Sequence, residues 1–191
     1  MSLIKIIIRG LAYLTYLVIT VAILLEITFR VLPTSSAIDL QPISDKTDIL
    51  RFEANQKGTF SEGKNFYKIV KKRTNNYGFY SNHDYIANSK PDIAIIGDSM
   101  VQASQIRNED SIGEVIQLQS GLKVYQLGVS GVPLSQYIQM IKFVKREFSP
   151  KHFAIVVVGN DFDESLCSYR IKEGTWCFDD NLDLTFNPFF G

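Results

Sequence analysis

Histidine and cysteine are scarce in this sequence of 191 residues, which contains two of each. The two cysteines, Cys167 and Cys177, lie ten positions apart, and this spacing matches no zinc-binding pattern. A phosphate-cradling glycine loop is also missing, because the stretch from Gly128 to Gly131 lacks the spacing of a dinucleotide-binding fingerprint. We therefore expect neither a metal nor a cofactor.

The chain also lacks an excess of either charge, with 20 basic and 20 acidic side chains. One basic stretch, KIVKKR over residues 68–73, alternates Ile and Val with Lys and so predicts a strand with one solvent-exposed face. We therefore expect no nucleic-acid partner.

Charged residues are absent between Leu11 and Leu25, and the apolar run continues to Leu32 with only Glu26 and Arg30 interrupting it. About 22 helical residues span roughly 33 Å, which matches the ~30 Å core of a bilayer. The sequence therefore predicts a single transmembrane anchor over residues 1–32, surrounded by membrane lipid. A cleaved signal peptide is the competing interpretation, because Ser35 and Ala37 form a small-x-small pair, but the apolar run is longer than that of an ordinary signal peptide.

The orientation of the anchor follows from the basic residues before it. Lys5 and Arg9 precede the apolar run and favour a cytoplasmic N-terminus, with the body of the chain outside, in the periplasm or extracellular space. In such a compartment Cys167 and Cys177 could close a small disulfide loop, and the alternative is a pair of free thiols.

Two segments follow the anchor along the chain, a linker and a domain. Residues 33–57 are polar and contain prolines, as is typical of a linker, and residues 58–191 form the predicted domain, which starts with a hairpin at 58–80. Strands and helices then alternate in a core at 91–165, with predicted strands Asp92–Gly97, Lys123–Gly128 and Phe153–Asn160 and predicted helices Ser111–Gly121 and Pro133–Phe148. This order predicts an α/β fold with a parallel sheet and helices packed on its faces.

The working site of an open parallel sheet lies beyond the carboxyl ends of its strands. Ser99 follows the first strand, Gly128 ends the second and Asn160 ends the third. A serine hydroxyl can act as a nucleophile in acyl transfer, and backbone N–H groups or an amide side chain can stabilise the oxyanion that forms. The simpler alternatives are a turn serine that caps the next segment and an asparagine that forms a turn.

Three short motifs in the same order carry a family resemblance: GDSM around Ser99, LGVSG around Gly128 and VVVGND around Asn160. They resemble the first three motif blocks of the SGNH (GDSL-like) hydrolase superfamily, and the upstream stretches TNNYGFY and LLEITFRVLP resemble its membrane-anchored members. The resemblance implies a flavodoxin-like three-layer sheet, with Ser99 as nucleophile and oxyanion donor and Gly128 and Asn160 as further donors. It also implies a serine ester hydrolase or O-acyltransferase that acts on acylated carbohydrate or other small esters.

The chain departs from the family pattern in several places. Gln126 and Tyr80 stand where members often have Asn and Arg, and the Asp-x-x-His block that supplies the catalytic base is missing. Only 30 residues follow Asp161, and the segment Ser168–Phe178 predicts a strand or a short hairpin. The resemblance therefore implies a C-terminally incomplete domain, whose open sheet edge a protein partner could cover.

Neither histidine is expected to replace the missing base, because His83 and His152 both precede predicted strands and so enter the sheet from the end opposite Ser99. Asp98, Asp161 and Asp163 are weak bases for a serine, and the last two are alternatively surface acids that cap the next segment. Two hypotheses stay open: an enzyme whose base comes from sequence beyond Gly191 or from another chain, and a non-catalytic relative that serves as a binding or structural subunit of a membrane assembly.

Overall fold

The computed structural model describes residues 3–44, 48–169 and 174–187. The helices are α1 (Leu3–Val31), α2 (Ser99–Gln102), α3 (Ile112–Ser120), α4 (Leu134–Glu147) and α5 (Asn160–Asp163), and a 3₁₀ turn covers Asn108–Asp110. The strands are β1 (Leu40–Gln41), β2 (Arg51–Phe52), β3 (Lys57–Glu62), β4 (Lys68–Arg73), β5 (Ile93–Gly97), β6 (Val124–Gly128), β7 (His152–Ile155), β8 (Thr175–Phe178) and β9 (Leu184–Asn187).

Helix α1 is long and apolar enough to span a membrane. Its residues Ile4–Val31 have a mean hydropathy of 2.1, and 29 residues at ~1.5 Å each exceed the ~30 Å of a bilayer core. Near its C-terminal end, Arg30 Nε donates to Glu26 Oε1 at 2.7 Å, so the two charges on this helix face pair with each other. The orientation of the helix across a membrane stays a prediction.

The chain groups into two compact units, one formed by Met1–Ser35 with Ser61–Ile69 and the other by Ser36–Phe60 with Val70–Gly191. The boundaries predicted at residues 32, 57 and 80 stay predictions. Everything that concerns the candidate site lies in the second unit.

The second unit contains a mixed α/β arrangement around a parallel three-stranded sheet in the order β6-β5-β7. The predicted alternation of strands and helices is therefore confirmed. Glycines end three elements as expected: Gly97 and Gly128 close β5 and β6, and Gly121 ends α3 in the left-handed region with φ of 72°. The third strand is shorter than predicted: β7 ends at Ile155 instead of Asn160, because the Val158 N–H donates to the Asp161 carboxylate at 2.8 Å and the chain turns into α5.

Side chains on β5 alternate between two apolar clusters, as the two-residue period of a strand requires. Ala94 and Ile96 pack on one face against α4, which contributes Tyr137, Met140 and Val144 at helical spacing. Ile95 packs on the other face against Val101 of α2, with Ile116 of α3 alongside, in a smaller cluster. The sheet therefore has a large core on the α4 side and a small one on the α2 and α3 side.

The two edges of the sheet differ. On the β6 edge, the Tyr85 hydroxyl donates to the Gln126 carbonyl at 2.8 Å and accepts from the Gln126 N–H at 2.9 Å, which substitutes for a neighbouring strand. On the β7 edge, every residue of the strand is exposed, and among the described residues no strand pairs with its outer side. Phe153 and Ile155 are 37% and 38% exposed, so this edge carries uncovered apolar surface.

Of the strand or short hairpin predicted within Ser168–Phe178, the described residues form one strand, β8, which pairs antiparallel with β9 further along the chain. Part of the segment Ser168–Phe178, residues 170–173, lies outside the described residues. Cys167 and Cys177 are joined by a disulfide, so the free-thiol alternative does not hold. The Ser135 hydroxyl at the start of α4 donates to the Trp176 carbonyl at 2.8 Å, which attaches β8 to the main body.

Candidate active site

The strand ends that carry the predicted site residues meet at one edge of the sheet. Gly97 and Gly128 are register partners, and the Val156 N–H donates to the Ile96 carbonyl at 2.9 Å, so all three strands end at the same level. Ser99 is the first residue of α2 and Asn160 the first residue of α5. The convergence expected from the sequence is therefore present for the three loops.

Ser99 presents an exposed hydroxyl beside a buried carboxylate. Asp98 caps α2: its Oδ1 accepts from the Met100 N–H at 3.0 Å, and its Oδ2 accepts from the Ser99 hydroxyl at 3.2 Å. Asp98 itself is 5% exposed. The local sequence thus starts a helix at the strand end and keeps Ser99 on the surface, with its proton directed to a carboxylate.

A helix of four residues has little stability of its own, because its few hydrogen bonds do not offset the cost of nucleation. Neighbouring side chains hold α2 in place. Gln126 Nε2 donates to the Val101 carbonyl at 2.6 Å, while Gln126 Oε1 accepts from the Gly113 N–H at 2.7 Å. The Ser130 N–H donates to Gln102 Oε1. Gln126 therefore joins the C-terminal end of α2 to the N-terminal end of α3.

Lys72 supports the same helix from strand β4. Its Nζ donates to the Ala103 carbonyl at 2.7 Å and lies 5.2 Å from the centre of the Tyr80 ring. Burial lowers the pKa of Lys72 to about 8, while the nearby charges of Glu109 and Asp110 act in the opposite direction. The ammonium thus neutralises part of the negative end of α2 at the expense of its own hydration.

Gly128 is required for the close packing of α2 on β6. A Cβ at this position would lie 2.1 Å from the Gln102 nitrogen and 2.4 Å from the Val101 carbonyl carbon, which are both backbone atoms. The sequence predicts Gly128 as a backbone donor. The structure adds that only glycine lets the Ser99 helix approach this strand.

Next to Asn160, the structure contains a buried polar network that the sequence does not reveal. Asp161 is fully buried, so its interpretation as a surface acid is wrong, whereas Asp163 is exposed. Asp161 Oδ2 accepts from the Tyr137 hydroxyl at 3.0 Å and from the Val158 N–H at 2.8 Å. Asp161 Oδ1 is buried and has no hydrogen-bond partner in the part of the chain that the structure describes.

Tyr137 links this network to the Ser99 turn. Burial, followed by the hydrogen bond to Asp161 and the charges of Asp161 and Asp98, raises the pKa of Tyr137 above its usual range. A hydrogen bond from the Asp98 backbone to the phenolic oxygen acts in the opposite direction. One hydroxyl on α4 therefore contacts the loops that carry Ser99 and Asn160.

Replacing Tyr137 with phenylalanine is expected to destabilise the protein by about 1–3 kcal/mol, because it leaves a buried carboxylate with only one of its two donors. Chemical unfolding of the full chain in detergent measures the loss. The matched control is Tyr169→Phe, which removes the hydroxyl of a side chain that is 63% exposed and should change little. Equal stability of the two variants would mean that the Tyr137 bond contributes nothing.

Neither histidine lies next to Ser99. His152 is the register partner of Ile93 at the start of β5, so about four strand residues, or roughly 13 Å, separate it from the level of Gly97. The His83 Nε2 lies 3.3 Å from the Glu114 carboxylate in the first turn of α3. The expected position at the end of the sheet opposite Ser99 is thus confirmed for His152, and for His83 it stays a prediction.

In the described ranges, no group of three or more His, Cys, Asp or Glu side chains is arranged to hold a metal ion. Comparison of this chain with protein-family models, with curated proteins and with solved structures finds no match.

Proposed function

We propose that the chain is a membrane-anchored, SGNH-like serine ester hydrolase or O-acyltransferase that acts on acylated carbohydrate or other small esters. The observation that carries the proposal is the exposed Ser99 hydroxyl at the start of a short helix, on the edge of the sheet where β6 ends at Gly128 and the chain leads to Asn160. Ligands of open α/β sheets bind in the crevice outside the carboxyl ends of the strands, which is where these residues lie.

The strand order supports a flavodoxin-like fold for the domain. In chain order, β5, β6 and β7 are the first, second and third strands, so the order β6-β5-β7 reads 2-1-3. This is the beginning of the order 2-1-3-4-5 of flavodoxin-like sheets. In such sheets the strand order reverses between the first and third strands, which stay parallel to each other. Ser99 follows the first of these strands and Asn160 follows the third.

The proposed reaction starts with attack of Ser99 Oγ on the carbonyl carbon of the ester. The hydroxyl proton passes to a base, and the carbonyl oxygen becomes an oxyanion that accepts hydrogen bonds from the backbone N–H groups of Ser99 and Gly128 and from the Asn160 amide. The alcohol leaves with a proton, and an acyl group stays on Ser99. Water or a second alcohol then takes up the acyl group, which gives hydrolysis or transfer.

The base is the part of the site that a second chain or further sequence must supply. Asp98 accepts a hydrogen bond from the Ser99 hydroxyl in the resting site, but a carboxylate is a weak base for a hydroxyl. An imidazole is the more usual proton acceptor, and the two histidines of this chain lie elsewhere. We therefore propose a base that reaches the Ser99 hydroxyl from outside the described residues.

The disulfide supports the proposed location of the domain outside the cytoplasm. Disulfides persist in oxidising compartments such as the periplasm and are rare in the cytosol. With α1 in the membrane and its basic end in the cytoplasm, the Cys167–Cys177 bond would lie on the oxidising side.

An alkyl fluorophosphonate probe tests the proposed function, because it phosphorylates only serines that are activated for attack. The probe is added to native membranes that contain the full chain, so that a partner able to supply the base is present. We expect labelling of the wild type on Ser99, no labelling of Ser99→Ala, and normal labelling of the control Ser120→Ala, at an exposed position at the end of α3. Absence of label on the folded wild-type chain would overturn the enzymatic proposal.

The second candidate is a non-catalytic SGNH-like subunit of a membrane assembly. The observation that favours it is the exposed β7 edge, with the apolar side chains of Phe153 and Ile155 uncovered. Such an edge can add a strand from a partner protein. An unlabelled Ser99 in a chain that is cross-linked to a partner through β7 would favour this candidate.

A further inference from the structure

A pocket of about 240 Å³ opens beside the Ser99 hydroxyl. Its lining is formed by Ser99, Met100, Ala103, Ser104, Gln105 and Ile106. The pocket is concave because Ala103 ends α2 in the left-handed region with φ of 52° and the Ile106 N–H donates to the Ala103 carbonyl at 3.3 Å. The turn after the helix thus folds back toward the serine.

Two side chains make part of the pocket wall apolar. Met100 is 67% exposed and Ile106 is 37% exposed, so both present hydrocarbon to solvent next to the proposed nucleophile. Methionine is unbranched and polarizable and adapts to apolar ligands of different shape. None of the six residues that line the pocket is charged.

We propose that this pocket holds the apolar acyl chain of the ester while the ester carbonyl lies over Ser99 Oγ. The inference rests on the proposed function, because it takes the serine as the attacking atom. At ~30 Å³ for a water-sized group, the volume has room for roughly eight such groups. Acyl groups of four to six carbons therefore fit, and an acetyl group would leave most of the pocket unfilled.

The length of the acyl chain should determine how tightly the ligand binds. A fully buried methylene contributes about fourfold to affinity, and a half-open pocket buries about half of that surface. Two additional methylenes should therefore strengthen binding by roughly fourfold. The substrate class is an ester with a short to medium apolar acyl group.

Butyramide and hexanamide are suitable probes, because they are neutral, carry a carbonyl and are not esters. The full chain in lipid nanodiscs is labelled with ¹³C at its methionine methyl groups, of which the sequence has three. We expect a saturable shift of the Met100 signal, identified by its loss in Met100→Leu, with hexanamide binding about fourfold more tightly than butyramide. The buried Met140, which is 1% exposed, should not shift.

Two variants separate the pocket from general surface effects. Ile106→Asn should weaken hexanamide binding several-fold, while the control Leu118→Asn, at an 85% exposed position on α3, should leave it unchanged. Equal affinity for both amides, or no shift at Met100, would overturn the inference. Because this measurement needs no reaction at Ser99, binding without fluorophosphonate labelling would reject only the enzymatic function, and labelling without binding would reject only the pocket.

Discussion

Replacing Gly128 with alanine is expected to displace α2 from the sheet and to abolish labelling of Ser99 by a fluorophosphonate. The new Cβ would lie 2.1 Å from the Gln102 nitrogen and 2.4 Å from the Val101 carbonyl carbon, far inside van der Waals contact. Both are backbone atoms, so the contact cannot be relieved by a change of rotamer. Overpacking of this kind costs typically 1–3 kcal/mol, and we expect about 3 kcal/mol because the whole helix must shift.

The matched control for this substitution is Gly159→Ala, at the residue directly before α5. Gly159 has helical backbone angles, with φ of −56° and ψ of −37°, and a Cβ there would meet nothing within 4 Å. This variant should keep the stability of the wild type. Chemical unfolding and fluorophosphonate labelling of both variants measure the difference, and wild-type stability of Gly128→Ala would contradict the packing of α2 on β6.

Local sequence is enough to predict where the strands that carry the site end. An apolar run that stops at a glycine marks where a buried strand ends, and this pattern predicts the ends of β5 and β6 at Gly97 and Gly128 correctly. The helix after Gly97 also has a local signal, because an aspartate before a short apolar segment is a usual N-cap. Strand ends and N-caps depend on residues that are adjacent in the chain, so a single sequence is enough to predict them.

The supports of the site depend on residues far apart in the chain, and no periodicity reveals them. Lys72 on β4 donates a hydrogen bond to the Ala103 carbonyl after α2, whereas the sequence pattern predicts only that it lies on the solvent-exposed face of a strand. Asp161 is interpreted as a surface acid because its partner Tyr137 is on another helix. The same contact explains the short β7, since a carboxylate that takes the Val158 N–H ends the strand early. Tertiary hydrogen bonds thus account for the differences between prediction and structure.

Gln126 illustrates how a sequence departure acquires a physical meaning only in the structure. The sequence marks it as an unusual residue for the family that the motifs resemble. In the structure both ends of its amide are used, one by the Val101 carbonyl and the other by the Gly113 N–H. The Gln126 side chain therefore forms hydrogen bonds to the backbone of both α2 and α3.

Removal of the disulfide by the double substitution Cys167→Ala and Cys177→Ala is expected to destabilise the domain by about 3 kcal/mol. The bond closes a loop between residues ten positions apart, and the loss of that constraint on the unfolded chain accounts for a cost of this size. The Phe178 N–H donates to the Ser165 carbonyl at 2.7 Å and the Cys167 N–H donates to the Phe178 carbonyl at 2.9 Å. These two bonds lie beside the disulfide and should exchange their hydrogens faster in the variant.

Reduction provides the matched control, because a reductant should lower the stability of the wild type toward that of the double variant and leave the double variant unchanged. Chemical unfolding with and without dithiothreitol, combined with hydrogen exchange at Phe178, measures both effects. The helix α2 and its supports are held by contacts to β4, β6 and α3, which do not involve the disulfide. Labelling of Ser99 should therefore survive removal of the bond at low temperature. Loss of labelling together with an unchanged free energy of unfolding would mean that the β8 hairpin acts on the Ser99 site directly.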